Sequence, residues 1–137
     1  MTEISKQFKI ILIFNIVVAF IYGFMYLVIP EVTRILRDAL FYDPLFWRLW
    51  GGTCIALGTL GLIGLMRNEW ESLKILIEFA ILWLIVALIV NLWSFTFMFR
   101  TPAGVAIQWF DNILIFVIIV MDTYFYMQEG KLNSTKK

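Results

Sequence analysis

Apolar residues run in four long blocks along this chain, with short polar breaks between them. The blocks cover about 8–29, 46–66, 75–99 and 103–127. A helix rises about 1.5 Å per residue, so roughly 20 apolar residues cross the hydrocarbon core of a bilayer. Each block reaches that length. Pro30, the segment 67–74 and the Arg100-Thr101-Pro102 turn interrupt the run. The last break is very short, so blocks three and four are expected to form an antiparallel helical hairpin. The pattern predicts an all-α, integral membrane four-helix bundle. It forms a single domain over 1–137, with a polar tail at 128–137 that is expected to fray.

The connection between blocks one and two, PEVTRILRDALFYDPLF, is long and has its own period. Val32, Ile35, Leu36, Ala39 and Leu40 recur at helical spacing, while Glu31, Arg34, Arg37 and Asp38 take the other positions. That predicts an amphipathic helix over about 31–41, lying in the outer membrane interface. Asp43-Pro44 then turns the chain into the second block. The simpler reading is a surface connector, and the sharper one is a lid over a cavity between the helices.

Composition strengthens the membrane reading. The 137 residues are 62% hydrophobic and 15% charged, with 18% aromatic residues. Soluble domains sit near half apolar and a quarter charged. A formal charge of +1 gives no electrostatic case for nucleic acid. With no histidine and one cysteine, Cys54, the chain lacks the residues for bis-histidine haem, imidazole zinc sites, Ser-His-Asp triads and Cys-x-x-Cys redox pairs. No metal site is expected. The N-terminal apolar run has no small-residue cleavage site after it and reads as a retained span.

Lys and Arg set an orientation. With both termini cytoplasmic, the inner side collects Lys6, Lys9, Arg67, Lys74, Lys131, Lys136 and Lys137, and the outer side Arg34, Arg37, Arg48 and Arg100. Seven inside against four outside favours this arrangement, in a cytoplasmic membrane of prokaryotic type.

Helical spacing then gives each span a polar or small-residue face. Asn15, Ala19, Tyr22 and Tyr26 align in the first span, and Arg48, Gly51, Cys54, Gly58 and Gly61 in the second. Ala80, Ala87, Asn91 and Ser94 align in the third, and Gln108, Asp111, Ile118 and Asp122 in the fourth. The glycines read first as a close-packing face, with Cys54 as another small residue on it. Tyr22, Tyr26, Arg48, Asn91, Ser94, Gln108 and Asp111 all fall in the outer half. Ionisable groups at this depth are costly and need a partner, which makes Arg48–Asp111 the expected ion pair. The cluster reads as a structural clamp, as a pocket for a lipid or quinone head group, or as a proton or substrate relay, in that order. Near the inner surface, Lys74 and Glu78 stand at the spacing of a helical ion pair, and Asp122 reads as a third interfacial charge. Trp47, Trp50, Trp70, Trp93 and Trp109 lie toward span ends, as an aromatic belt would.

Phe46-Trp47-Arg48-Leu49-Trp50-Gly51-Gly52, followed by Gly58 and Gly61, with Pro30 after the first span, resembles the DoxX-like group of small four-span proteins. The likeness covers most of the chain. It implies a four-helix bundle and a quinone or lipid partner, since some members are subunits of quinone-linked oxidoreductases. It supplies no catalytic residue. The leading expectation is a non-catalytic membrane protein, either an accessory subunit of a membrane complex or a lipid-binding module. A quinone-linked oxidoreductase component is the first alternative and a small homo-oligomeric transporter or channel the second. Membrane lipid and a protein partner or second copy are the expected contacts, and a bound lipid or quinone is the one cofactor class allowed.

Overall fold

The computed structural model describes residues 3–40, 42–96 and 101–134. Five helices make up the chain: α1 (Lys6–Leu27), α2 (Pro30–Leu36), α3 (Pro44–Arg67), α4 (Trp70–Ser94) and α5 (Pro102–Ser134). Among the described residues there is no strand, only an isolated backbone bridge between Glu3 and Glu69. Four helices, with α5 counted to Leu132, are long and apolar enough to cross a membrane.

Local chemistry fixes where the helices start and stop. Ser5 caps α1 by accepting the Phe8 N–H at 3.2 Å. Asp43 caps α3 by accepting the Leu45 and Phe46 N–H groups, and Pro44 fills the first turn, where no N–H is needed. Asn68 closes α3 in the left-handed region at φ 55°, a position Asn tolerates better than most residues. Two helices extend past the hydropathy pattern, while α4 ends at Ser94, short of 99. α4 begins at Trp70 rather than near 75, because the polar WESLK segment is helical and Trp70 is buried against Phe8. α5 continues through 128–134, where a fraying tail is expected, because Glu129 is buried there and bonded to the chain start. The short helix between spans one and two ends at Leu36, and Asp38 turns the chain at φ 49°. Arg100, Lys136 and Lys137 lie outside the described residues.

The long helices pack antiparallel to their neighbours. α1 lies along α3, where Gly51 meets Tyr26 and Leu27, Gly58 meets Ala19 and Phe20, and Gly61 meets Ile16. α4 lies along α5, with Gln108 bonded near the end of α4 and Tyr126 bonded to Glu78 near its start. α3 approaches α4 through Gly64 on Leu73 and Trp50 stacked on Trp83 at 5.5 Å. α1 meets α5 through the pairs Tyr22–Asp111, Asn15–Asp122 and Ser5–Glu129. The apolar core sits toward the Lys6 end of α1, around Phe8, Leu12, Trp70, Leu73 and Ile77. The outer surface is apolar as well: Leu45 and Met66 are each 78% exposed.

Candidate functional site

α5 carries most of the buried polar side chains. Gln108, Asp111, Asn112, Asp122 and Glu129 are all buried, and Ile118 is the buried large apolar residue between them. Asp111 and Glu129 are eighteen residues apart, five full turns, so they share one face about 27 Å apart along the axis. Asp122 lies about 20° off that face. A helix with polar groups inside and apolar groups outside is arranged for an apolar solvent.

At the α2 end, Asp111 joins three helices. Tyr22 of α1 donates its hydroxyl to Oδ1 at 2.7 Å. Arg37, in the turn that ends α2, donates Nη1 to Oδ2 and Nη2 to Oδ1, a bidentate ion pair. Its guanidinium also lies over the Tyr22 and Tyr26 rings, at 5.5 and 5.1 Å from their centroids. Burial pulls the Arg37 pKa down, but its hydrogen bonds to Asp111 and the charge beside it more than offset this, so the group is held above its ordinary value. Thr33, fully buried, anchors α2 by donating its hydroxyl to the Met25 and Ile29 carbonyls at 2.6 and 2.9 Å.

The expected Arg48–Asp111 pair is therefore corrected: Arg37 takes the place given to Arg48. Arg48 is exposed near the start of α3, beside the Gly52 and Ala56 side of that helix. The physical reason lies in α2. Its buried side is Pro30 and Thr33, continued by the partly buried Arg37 at its end, while Ile35 faces outward. The turn at Asp38 then brings the backbone of Arg37 and Asp38 against Gly104 of α5. The helical period of α2 puts Arg37 among its solvated charges, and the one contrary signal in the sequence is its spacing of four and seven residues from Thr33 and Pro30.

The rest of the predicted outer cluster divides in two. Tyr26 belongs with Arg37, stacks on Tyr22 and meets Trp47 at a tilt of 55°, at 6.2 and 5.1 Å between ring centroids. Gln108 turns instead toward α4, donating Nε2 to the Asn91 carbonyl at 2.8 Å and the Ser94 hydroxyl at 2.6 Å. Asn112, which sequence reasoning passed over, is 3% exposed, and neither end of its amide has a hydrogen-bond partner.

The predicted inner-face charges also rearrange. Glu78 accepts from Tyr126, and no ion pair joins it to Lys74 among the described residues. Asp122 is a buried group, 2% exposed, and accepts from Asn15 Nδ2 at 2.6 Å. Glu129 accepts the Ser5 N–H at 3.1 Å. Gly51, Gly58 and Gly61 are buried against α1, and Cys54 is half-buried on the same helix. Among the described residues no group of His, Cys, Asp or Glu is placed to hold a metal.

Beside the Asp111 cluster lies a groove of about 420 Å³ between α1, α2 and α5. Val18, Ile21, Met25, Leu36, Phe110 and Leu114 are among its walls, and Tyr22, Arg37 and Asp111 form its polar patch. Asp111 accepts three hydrogen bonds, so its lone pairs are largely committed. Arg37 has five N–H donors, of which two serve Asp111, and its Nε has no partner. That Nε is buried, so the patch is largely paired within itself, and its carboxylate is poorly placed to act as a base. No family model, curated protein or solved structure matches this chain.

Proposed function

We propose that this is a non-catalytic integral membrane protein that holds an amphiphile in the groove between α1, α2 and α5, as a lipid-binding module or accessory subunit. One observation carries the reading: a groove with apolar walls meets a single polar patch built from Tyr22, Arg37 and Asp111. A lipid acyl chain suits the walls, and a phosphate or ester oxygen suits the guanidinium. Both termini face the cytoplasm in this proposal, on the lysine and arginine distribution. α2 then lies in the outer interface with Val32 and Ile35 turned to lipid, consistent with their exposure.

A quinone-linked component of DoxX type is the second reading, favoured by the row Tyr22–Tyr26–Trp47 beside Arg37, where a flat ring could stack. A transporter or channel is the third. It needs polar groups continuous across the bundle, and Ile118 occupies the buried face of α5 between Asp111 and Asp122. The test is a titration of the purified protein in detergent with a short-chain phospholipid and with a short-tailed quinone, followed by tryptophan fluorescence. Saturable lipid binding, weakened at least tenfold by the groove-filling Ile21→Trp, is expected. Tighter quinone binding moves the assignment to the second reading, and no saturable binding of either removes both.

A further inference from the structure

Asp122 lies in the fourth apolar helix, 2% exposed, and its described partner is Asn15 of α1. No lysine or arginine among the described residues forms an ion pair with it. The cations of the surrounding elements stand near helix ends: Lys6 and Lys9 on α1, Arg48 and Arg67 on α3, Lys74 on α4 and Lys131 on α5. The other acids on α5, and Glu78 on the neighbouring α4, have partners of their own. Asp111 has Arg37 and Tyr22, Glu78 has Tyr126, and Glu129 has the Ser5 N–H. A carboxylate buried in an apolar setting without a cation is costly enough that the group takes up a proton instead.

Asn15 provides a second, independent sign. Its Nδ2 serves Asp122, but its Oδ1 is buried and accepts no hydrogen bond. An ionised carboxylate is acceptor-only and has nothing to give that oxygen. A carboxylic acid has one O–H donor and one acceptor oxygen, the complement of an amide. We propose that Asp122 is a proton-binding site, carried at neutral pH as the neutral acid and paired with Asn15. Asn15 Nδ2 donates to one carboxyl oxygen, and the acid O–H on the other donates to Asn15 Oδ1. Proton uptake forms one O–H bond, converts a single hydrogen bond into two and satisfies the buried carbonyl. This site is separate from the groove and does not depend on what the groove holds.

Infrared spectroscopy of the purified protein with carboxyl-13C aspartate isolates the four aspartates, Asp38, Asp43, Asp111 and Asp122, from the glutamates. The expected result at neutral pH is a label-sensitive C=O band of a protonated acid that shifts in D2O. Asp122→Asn should remove it, with the amide–amide pair preserving the fold. Asp111→Asn should leave it. Asn15→Leu should move it to higher frequency as the paired hydrogen bond is lost. Absence of a protonated aspartate band from the wild-type protein at neutral pH overturns the proposal and needs no variant. So does a band that persists in Asp122→Asn.

Discussion

At the scale of single residues, the ion pair between Arg37 and Asp111 makes the sharpest claim. Their side chains are 14% and 11% exposed, so removing one partner strands a largely buried charge. Arg37→Met should destabilise the protein by about 3–5 kcal/mol, unless Asp111 takes up a proton. The double variant Arg37→Met with Asp111→Leu should be milder, because no unpaired charge remains. Arg48→Ala should lie within about 0.5 kcal/mol of wild type, since Arg48 is exposed and bonded to neither group. Detergent melting of these variants checks the set. Equal losses from Arg37→Met and Arg48→Ala would contradict it. Much of this site was legible in the sequence. Asp111 inside an apolar block announces a partner, and Tyr22 and Tyr26 share a helical face directed at it. Which arginine answers was not legible, because Arg34, Arg37 and Arg48 all stand near the same end of the bundle. The choice depends on how α2 is anchored by Thr33 and turned at Asp38. Asp122 was misplaced for a related reason. A charge near a span end reads as interfacial until α5 is seen to continue seven residues past it to a buried Glu129.

At the scale of elements, the two neighbouring glycines of α3 make opposite predictions. A Cβ on Gly51 would stand 2.4 Å from the Leu27 backbone nitrogen, whereas one on Gly52 meets nothing within 4 Å. Gly51→Ala must push α1 and α3 apart and should cost about 1–3 kcal/mol. Gly52→Ala removes backbone freedom from the unfolded chain and should be neutral or stabilising by up to about 1 kcal/mol. Chemical denaturation of the two variants separates them. If both are neutral, α1 and α3 do not pack along the glycine face. The spans themselves were legible from hydropathy, because lipid demands about the same apolar length of every helix that crosses it. The ends of α4 and α5 were not. The polar residues there are held helical by packing, as Trp70 is against Phe8 and Tyr126 at 5.7 and 5.4 Å between ring centroids.

At the scale of the whole molecule, polarity is inverted along α5. Its buried face carries Gln108, Asp111, Asn112, Asp122 and Glu129, while its exposed face carries Ile113, Phe116 and Val120. This arrangement suits a lipid solvent and leaves the bundle holding its polar groups in separate layers. The layer next to the groove joins α1, α2 and α5 through Arg37, so a ligand on that guanidinium would bear on all three helices at once. Binding there should therefore raise the melting temperature of the wild-type protein. The same ligand should leave the Ile21→Trp variant unchanged. A shift of equal size in both would place the ligand elsewhere on the apolar surface.

The most direct measurement of the central claim is native mass spectrometry of the protein extracted gently from its own membrane, compared with Ile21→Trp prepared in the same way. The expected result is a reproducible adduct of one amphiphile class on the wild-type chain, largely absent from the variant. A bare wild-type chain, or an adduct that the variant keeps, would contradict the assignment of the groove.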